Sequence, residues 1–160
     1  MQPRMTNPAL SVPGALEALQ GFSKAARDAA EASGLPRSII DLVELRASQI
    51  NGCAVCLDMH ARGARKAGET DERMATVAAW REAPYFTDPE RAALALAEAG
   101  TRLADRPQPV PDEVFAEAAA HFGEQALAAL VCVIAGINTW NRLNVVTGQV
   151  AGEWTAQWAT

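Results

Sequence analysis

The chain has 160 residues, a formal net charge of −5, and a hydrophobic fraction of 49% of which little is aromatic, at 6%. This length suits one domain with a single core. An acidic balance with no long basic run excludes nucleic-acid binding by phosphate neutralisation. No apolar run approaches the roughly 20 residues that span a bilayer, so no membrane association is expected. Alanine, the strongest helix former, is very frequent, which points to an all-α protein.

Residues 1–12 read as a flexible lead or a surface arm. A first helix is expected over residues 14–33, where Leu16, Leu19, Phe22 and Ala26 recur at helical spacing and Gly34 follows as a C-cap. Pro36 opens a second helix to residue 50, with Ile39, Val43, Ala47 and Ile50 in one stripe. The Asn51-Gly52 pair breaks it. A third helix runs from about residue 53 to 66, with Gly68 past its end. Thr70, followed by Asp71 and Glu72, starts a helix that reaches Trp80. Thr87 or Asp88 caps another over 89–104. The proline-rich DRPQPVPDE stretch is a loop, followed by helices over 111–121 and 124–146. No segment shows strand alternation. The last helix is apolar nearly all round, which makes it the centre of a compact helical bundle or part of a subunit interface.

The chemistry concentrates in CAVCLDMH, residues 53–60. On a helix, Cys53, Cys56 and His60 stand at i, i+3 and i+7 and share one face. A cysteine in the first turn meets unpaired N–H groups and the positive end of the helix dipole, which favour a thiolate. His60, one turn beyond Cys56, is placed to act as its base or ion-pair partner. A c-type haem site requires histidine where Leu57 stands. A structural zinc site lacks a second ligand pair, since only His121 and Cys132 remain, without paired spacing. A thioredoxin-type motif lacks its βαβ context. Two readings stay open: a redox dithiol on a helical scaffold, which the pattern favours, and two buried cysteines with a capping histidine.

The stretch LRASQINGCAVCLDMHARGARKAGE resembles the core of the AhpD-like alkylhydroperoxidases, part of the carboxymuconolactone decarboxylase superfamily. The likeness extends through AWREAPYFTDPERAALALAEAGTRL and INTWNRLNV, and so covers about residues 42–146. The resemblance implies an all-helical fold and a homo-oligomer, a trimer or hexamer. It implies that Cys56 attacks the peroxide, that Cys53 resolves the resulting sulfenic acid as a disulfide, and that His60 belongs to a proton relay. The partners it implies are a small-molecule peroxide and a thiol reductant such as dihydrolipoamide, or a reductase protein; no bound metal or flavin is needed. Two positions depart from the family's peroxidases. Their glutamate twelve positions before the first cysteine is Asp41 here, and their histidine between the cysteines is Val55. The superfamily's lactone decarboxylases lack the cysteine pair, so the motif argues against decarboxylation. A non-enzymatic oligomeric redox sensor is the other alternative.

Asp41 is the expected relay carboxylate. If Asn51-Gly52 reverses the chain, Asp41 lies about 15 Å before the turn and His60 about 12 Å after it, whereas an unbroken helix would separate them by about 28 Å. Burial among Ile39, Ile40, Leu42 and Val43 would raise its pKa. Glu44, one turn on, is the rival; it falls nearer Cys56 unless it points outward.

Elsewhere, Cys132 in ALVCVIAG is expected to be a small core residue. His121 is expected to serve helix-terminal carbonyls. Asn138, Trp140, Asn141 and Arg142 need partners on so apolar a helix, at a subunit contact or over the cysteines. Tyr85 and Phe86 either wall an entrance or anchor the core, and Trp154 and Trp158 could dock on a neighbouring subunit. The odd cysteine count argues against a secreted disulfide framework. With no signal-peptide pattern in the opening residues, a cytoplasmic setting is the expectation.

Overall fold

A computed structural model describes residues 1–104 and 106–152. Those residues form eight α-helices and no strand: α1 (Pro8–Ser11), α2 (Ala15–Ala32), α3 (Arg37–Asn51), α4 (Ala54–Lys66), α5 (Asp71–Thr76), α6 (Asp88–Thr101), α7 (Asp112–His121) and α8 (Glu124–Thr147). The expected helix to Trp80 is α5 followed by a single 3-10 turn, Val77–Ala79. Trp154 and Trp158 lie outside the described residues.

Two helices form the centre. α3 buries nine of its fifteen residues, and α8 packs across α2, α3 and α6. Ile39, Ile40 and Val43 of α3 meet Leu96 and Ala97 of α6, and Leu130 and Ile134 of α8. Alanines let the helices approach closely: Ala30, Ala47 and Ala97 are fully buried. A second cluster gathers Leu42, Val77, Trp80, Phe86 and Leu94. Phe86 is thus a core anchor under the Arg73 guanidinium, 5.0 Å above its ring, while Tyr85 is exposed.

By length and composition α8 is apolar enough to cross a membrane, contrary to the expectation that no segment is. It is instead the core helix: over half of its most apolar stretch is buried inside the bundle, and it buries Asn138, Asn141 and Asn144. Those amides have partners within the chain. Asn51 Nδ2 donates to Asn138 Oδ1 at 2.9 Å and Asn141 Oδ1 at 2.8 Å, and Asn141 Nδ2 donates to Ser48 Oγ at 3.1 Å. The amide ladder pins the end of α3 to α8. Gly52 then reverses the chain in the left-handed region, at φ 67°, where a side chain would be strained.

The opening residues, largely exposed, run back along the end of α8. Arg4 N donates to Thr147 O and Arg4 Nη1 to Val146 O, both at 2.8 Å, so a cation covers carbonyls at the end of α8. Gln149 Nε2 donates to Met5 O at 2.9 Å. Asn7 is buried; its Oδ1 accepts from Ala9 N at 2.9 Å and caps α1.

Candidate active site

The α3–α4 hairpin brings the sequence motif to one place. Cys53 is the N-cap of α4, and its Sγ accepts from Cys56 N at 3.3 Å. Cys53 and Cys56 are joined as a disulfide, with Cα atoms 5.4 Å apart. Both are buried beside Ala47, Val55 and Ile137. They differ in access: Cys56 borders a cavity of about 340 Å³ between α2, α4 and α8, and Cys53 does not line it. The cavity wall is mainly apolar, with Val55, Met59, Val133, Ile137 and Trp140. Its polar lining includes Arg27, Glu44, His60 and Asn144.

The carboxylate that meets His60 is Glu44, not Asp41. Glu44 Oε2 lies 3.0 Å from His60 Nδ1, at ion-pair distance but not as a well-aligned hydrogen bond. Arg27 Nη2, from α2, donates to Glu44 Oε1. Burial alone would raise the Glu44 pKa; the contacts with His60 and then Arg27 outweigh it and hold the carboxyl at about 2. Asp41 instead accepts from Arg37 Nε at 2.9 Å, one turn back on its own helix. Burial raises its pKa, as the sequence led one to expect, against the opposing Arg37 contact; His60 is the smallest influence on it.

Helix geometry pairs Glu44 rather than Asp41 with His60. Glu44 lies about 10.5 Å before the turn, Asp41 about 15 Å, and His60 about 12 Å after it. Side chains lean toward the N-terminus of their own helix. In a hairpin this moves Glu44 away from the turn and His60 toward it, so their tips meet. The same lean carries Asp41 further from His60's level.

Other sequence candidates are distributed as follows. Cys132 is half-buried and lines the same cavity as Cys56 rather than lying wholly in the core. Trp140 also lines it, its Nε1 donating to Ser23 Oγ at 3.1 Å. Arg142 Nη1 donates back to Asn138 O at 3.2 Å. His121 faces Glu117 at 3.3 Å, far in the fold from the cysteines, on α7. Three residues of the site were not expected: Arg27, Asn7 and Asn144. Asn144 Nδ2 donates to Cys56 Sγ at 3.3 Å, and Asn7 Nδ2 donates to Asn144 Oδ1 at 2.7 Å. Asn144 ends the motif INTWNRLN, three residues after Asn141, so the spacing of its amides was the available signal. Among the described residues no cluster of three or more histidine, cysteine or acidic side chains could hold a metal ion.

Comparison with known proteins places this geometry in context. The carboxymuconolactone decarboxylase family matches residues 13–99. The uncharacterized protein YdfG of Bacillus subtilis (strain 168) is 40% identical over 119 residues, which are 74% of this chain and 80% of that protein. A crystal structure from Agrobacterium tumefaciens, of a protein of unknown function provisionally assigned to AhpD antioxidant defence, superposes with a TM-score of 0.82 at 35% identity. That match covers 94% of this chain and 98% of the other. The apo debrominase Bmp8 superposes with a TM-score of 0.75 at 21% identity, over 91% of this chain and 75% of its own, a likeness of fold alone.

Proposed function

The chain belongs to the carboxymuconolactone decarboxylase family, and on that premise we propose that it is a thiol-dependent hydroperoxidase, a dithiol–disulfide oxidoreductase working through Cys56, Cys53 and His60. The observation that carries this reading is the asymmetry of the cysteine pair: Cys56 borders the cavity that Glu44 and His60 also line, and Cys53 is withdrawn at the helix cap.

In the reduced protein His60, oriented through Nδ1 by Glu44, has Nε2 to accept the Cys56 proton. The Cys56 thiolate attacks the terminal oxygen of a hydroperoxide and the O–O bond breaks. The departing alkoxide takes the proton back from the imidazolium and leaves as an alcohol. Cys56 is now a sulfenic acid. The Cys53 sulfur attacks it, water leaves, and the disulfide forms. A dithiol reductant of the dihydrolipoamide type reduces that disulfide and is itself oxidised to a disulfide. The net reaction converts hydroperoxide and dithiol to alcohol, water and disulfide. Apolar walls suit the organic part of an alkyl hydroperoxide.

The test is peroxide turnover with dihydrolipoamide as the electron donor. Wild type is expected to turn over and Cys56→Ser to be inactive. Full activity in Cys56→Ser would sink the reading. A dithiol that oxidises and changes the size of the assembly with negligible turnover would point to a redox sensor instead.

A further inference from the structure

We propose that Asn144 is a catalytic residue that stabilises the Cys56 thiolate, and that Asn7, from the opening segment, is the positioning residue that aims it. The proposal rests on the reading of Cys56 as the attacking thiol.

A backbone N–H can only donate. Ala9 N lies 2.9 Å from the Asn7 side chain, so the amide atom facing it must be the oxygen. The other end of the Asn7 amide is therefore the NH2 group, and it meets Asn144 at 2.7 Å. The Asn144 atom at that contact must accept, so it is Oδ1. The Asn144 NH2 group is thereby turned to Cys56 Sγ, 3.3 Å away. An asparagine amide is ordinarily free to flip, since its two ends differ little in shape. Here a single N-cap sets the polarity of both amides in turn. Asn7 is 3% exposed, Asn144 8% and Cys56 2%, so little water competes for these bonds.

The bond is present in the disulfide form, in which sulfur is a weak acceptor. Reduction puts a thiolate in the same place, and a charged acceptor strengthens a hydrogen bond. An amide donor that favours thiolate over thiol lowers the thiol pKa. The charged groups on the cavity wall near Cys56 are His60 of its own helix, Glu44 of α3, and Arg27 of α2 with the exposed Lys24–Asp28 pair. α8 brings no charged side chain to that wall; it adds the Cys132 thiol, the Trp140 indole, whose N–H is taken by Ser23, and Asn144, which donates to Cys56. The opening segment is therefore part of the site. Arg4 and Met5 tie it to the end of α8, only a few residues beyond Asn144.

The test measures the pH dependence of Cys56 alkylation by iodoacetamide in the reduced protein, in a Cys53→Ser background, read by mass spectrometry of the Cys56 peptide. Asn144→Ala is expected to raise the Cys56 pKa by about one unit, a tenfold loss of thiolate at any pH well below that pKa. Asn7→Ser retains a hydroxyl to cap Ala9 N but has no amide to hold Asn144, so the fold is kept and the pKa rises by a smaller amount. The double variant is expected to match Asn144→Ala alone, because Asn7 acts only through Asn144. Melting temperatures identify any variant that has lost its fold, and Asn7→Ser keeps the proposal testable if Asn144→Ala is one. A Cys56 pKa that neither variant moves, or effects that simply add, would overturn it. Peroxide plays no part in the measurement, so absence of peroxide turnover would sink the peroxidase reading without touching this result.

Discussion

Glu44 and His60 face each other across the α3–α4 hairpin, Oε2 to Nδ1 at 3.0 Å, with Arg27 on the carboxylate's other oxygen. The relation ties three helices to the chemistry of one thiol and separates the role of Glu44 from that of Asp41, one turn earlier.

Exchanging these two acids for amides should therefore have unequal effects. Glu44→Gln removes the charge that orients His60 and is expected to lower kcat/KM for a hydroperoxide by about 100-fold, the low end of what a positioned proton-transfer group contributes. Asp41→Asn, which chiefly disturbs the Arg37 pair, is expected to cost less than about tenfold. Steady-state kinetics with both variants decides it; equal losses would contradict the geometry.

The same carboxylate makes a pH signature. Its folded pKa is about 2 against an ordinary 4.5. A depressed carboxyl contributes stability that is complete above the unfolded value and is lost as pH falls through the folded one. The window is thus from pH 4.5 down to 2. Glu90 and Glu98, lowered by their arginine partners against the pull of burial, act in the same direction, and Asp41, raised by burial, opposes them. Urea unfolding across this range should show wild type losing its advantage over Glu44→Gln as the pH drops. An advantage that stays constant would mean the pair contributes nothing.

The amide ladder between α3 and α8 should be costly to interrupt. Asn141→Ala leaves Asn51 and Ser48 each short of a partner inside the bundle. A loss of about 1–3 kcal/mol in unfolding free energy is expected, chiefly from the buried Ser48 hydroxyl, since Asn51 Nδ2 keeps Asn138 Oδ1. Chemical denaturation measures it. A surface-like loss under about 0.5 kcal/mol would show that water replaces the amide.

Cavity shape should govern which peroxide is used. Val133 is buried and lines the cavity with Cys56. Val133→Phe is expected to fill part of it and lower kcat/KM for an aryl hydroperoxide by at least about tenfold more than for hydrogen peroxide, as loss of pocket volume discriminates by substrate size. An unchanged ratio would mean that organic peroxides reach Cys56 by another route.

Much of the fold was legible because its signals are local. The turn at Asn51-Gly52, the Thr70 and Thr87 caps and the stripe of α3 all appear where their residue types require. Cys56 and His60 line one cavity because helical spacing is short-ranged, while Cys53, at the N-cap, does not. Asp41 and Glu44 could not be ranked that way. Both are acids on α3, both are buried, and only the opposed lean of side chains in the folded hairpin selects Glu44. Arg27 and Asn7 lay beyond reach altogether, since nothing local says that α2 and α1 close over α4.

The sequence by itself determined an all-helical chain with a dithiol and a histidine on one helix, because caps, breakers and the 3.6-residue period act over a few residues. Tertiary structure alone decided which acid faces His60, which cysteine borders the cavity, and that the opening segment aims an amide at the thiol. Those contacts span separations as large as the 137 residues between Asn7 and Asn144. They depend on the level and rotation at which helices pack, which no local pattern encodes.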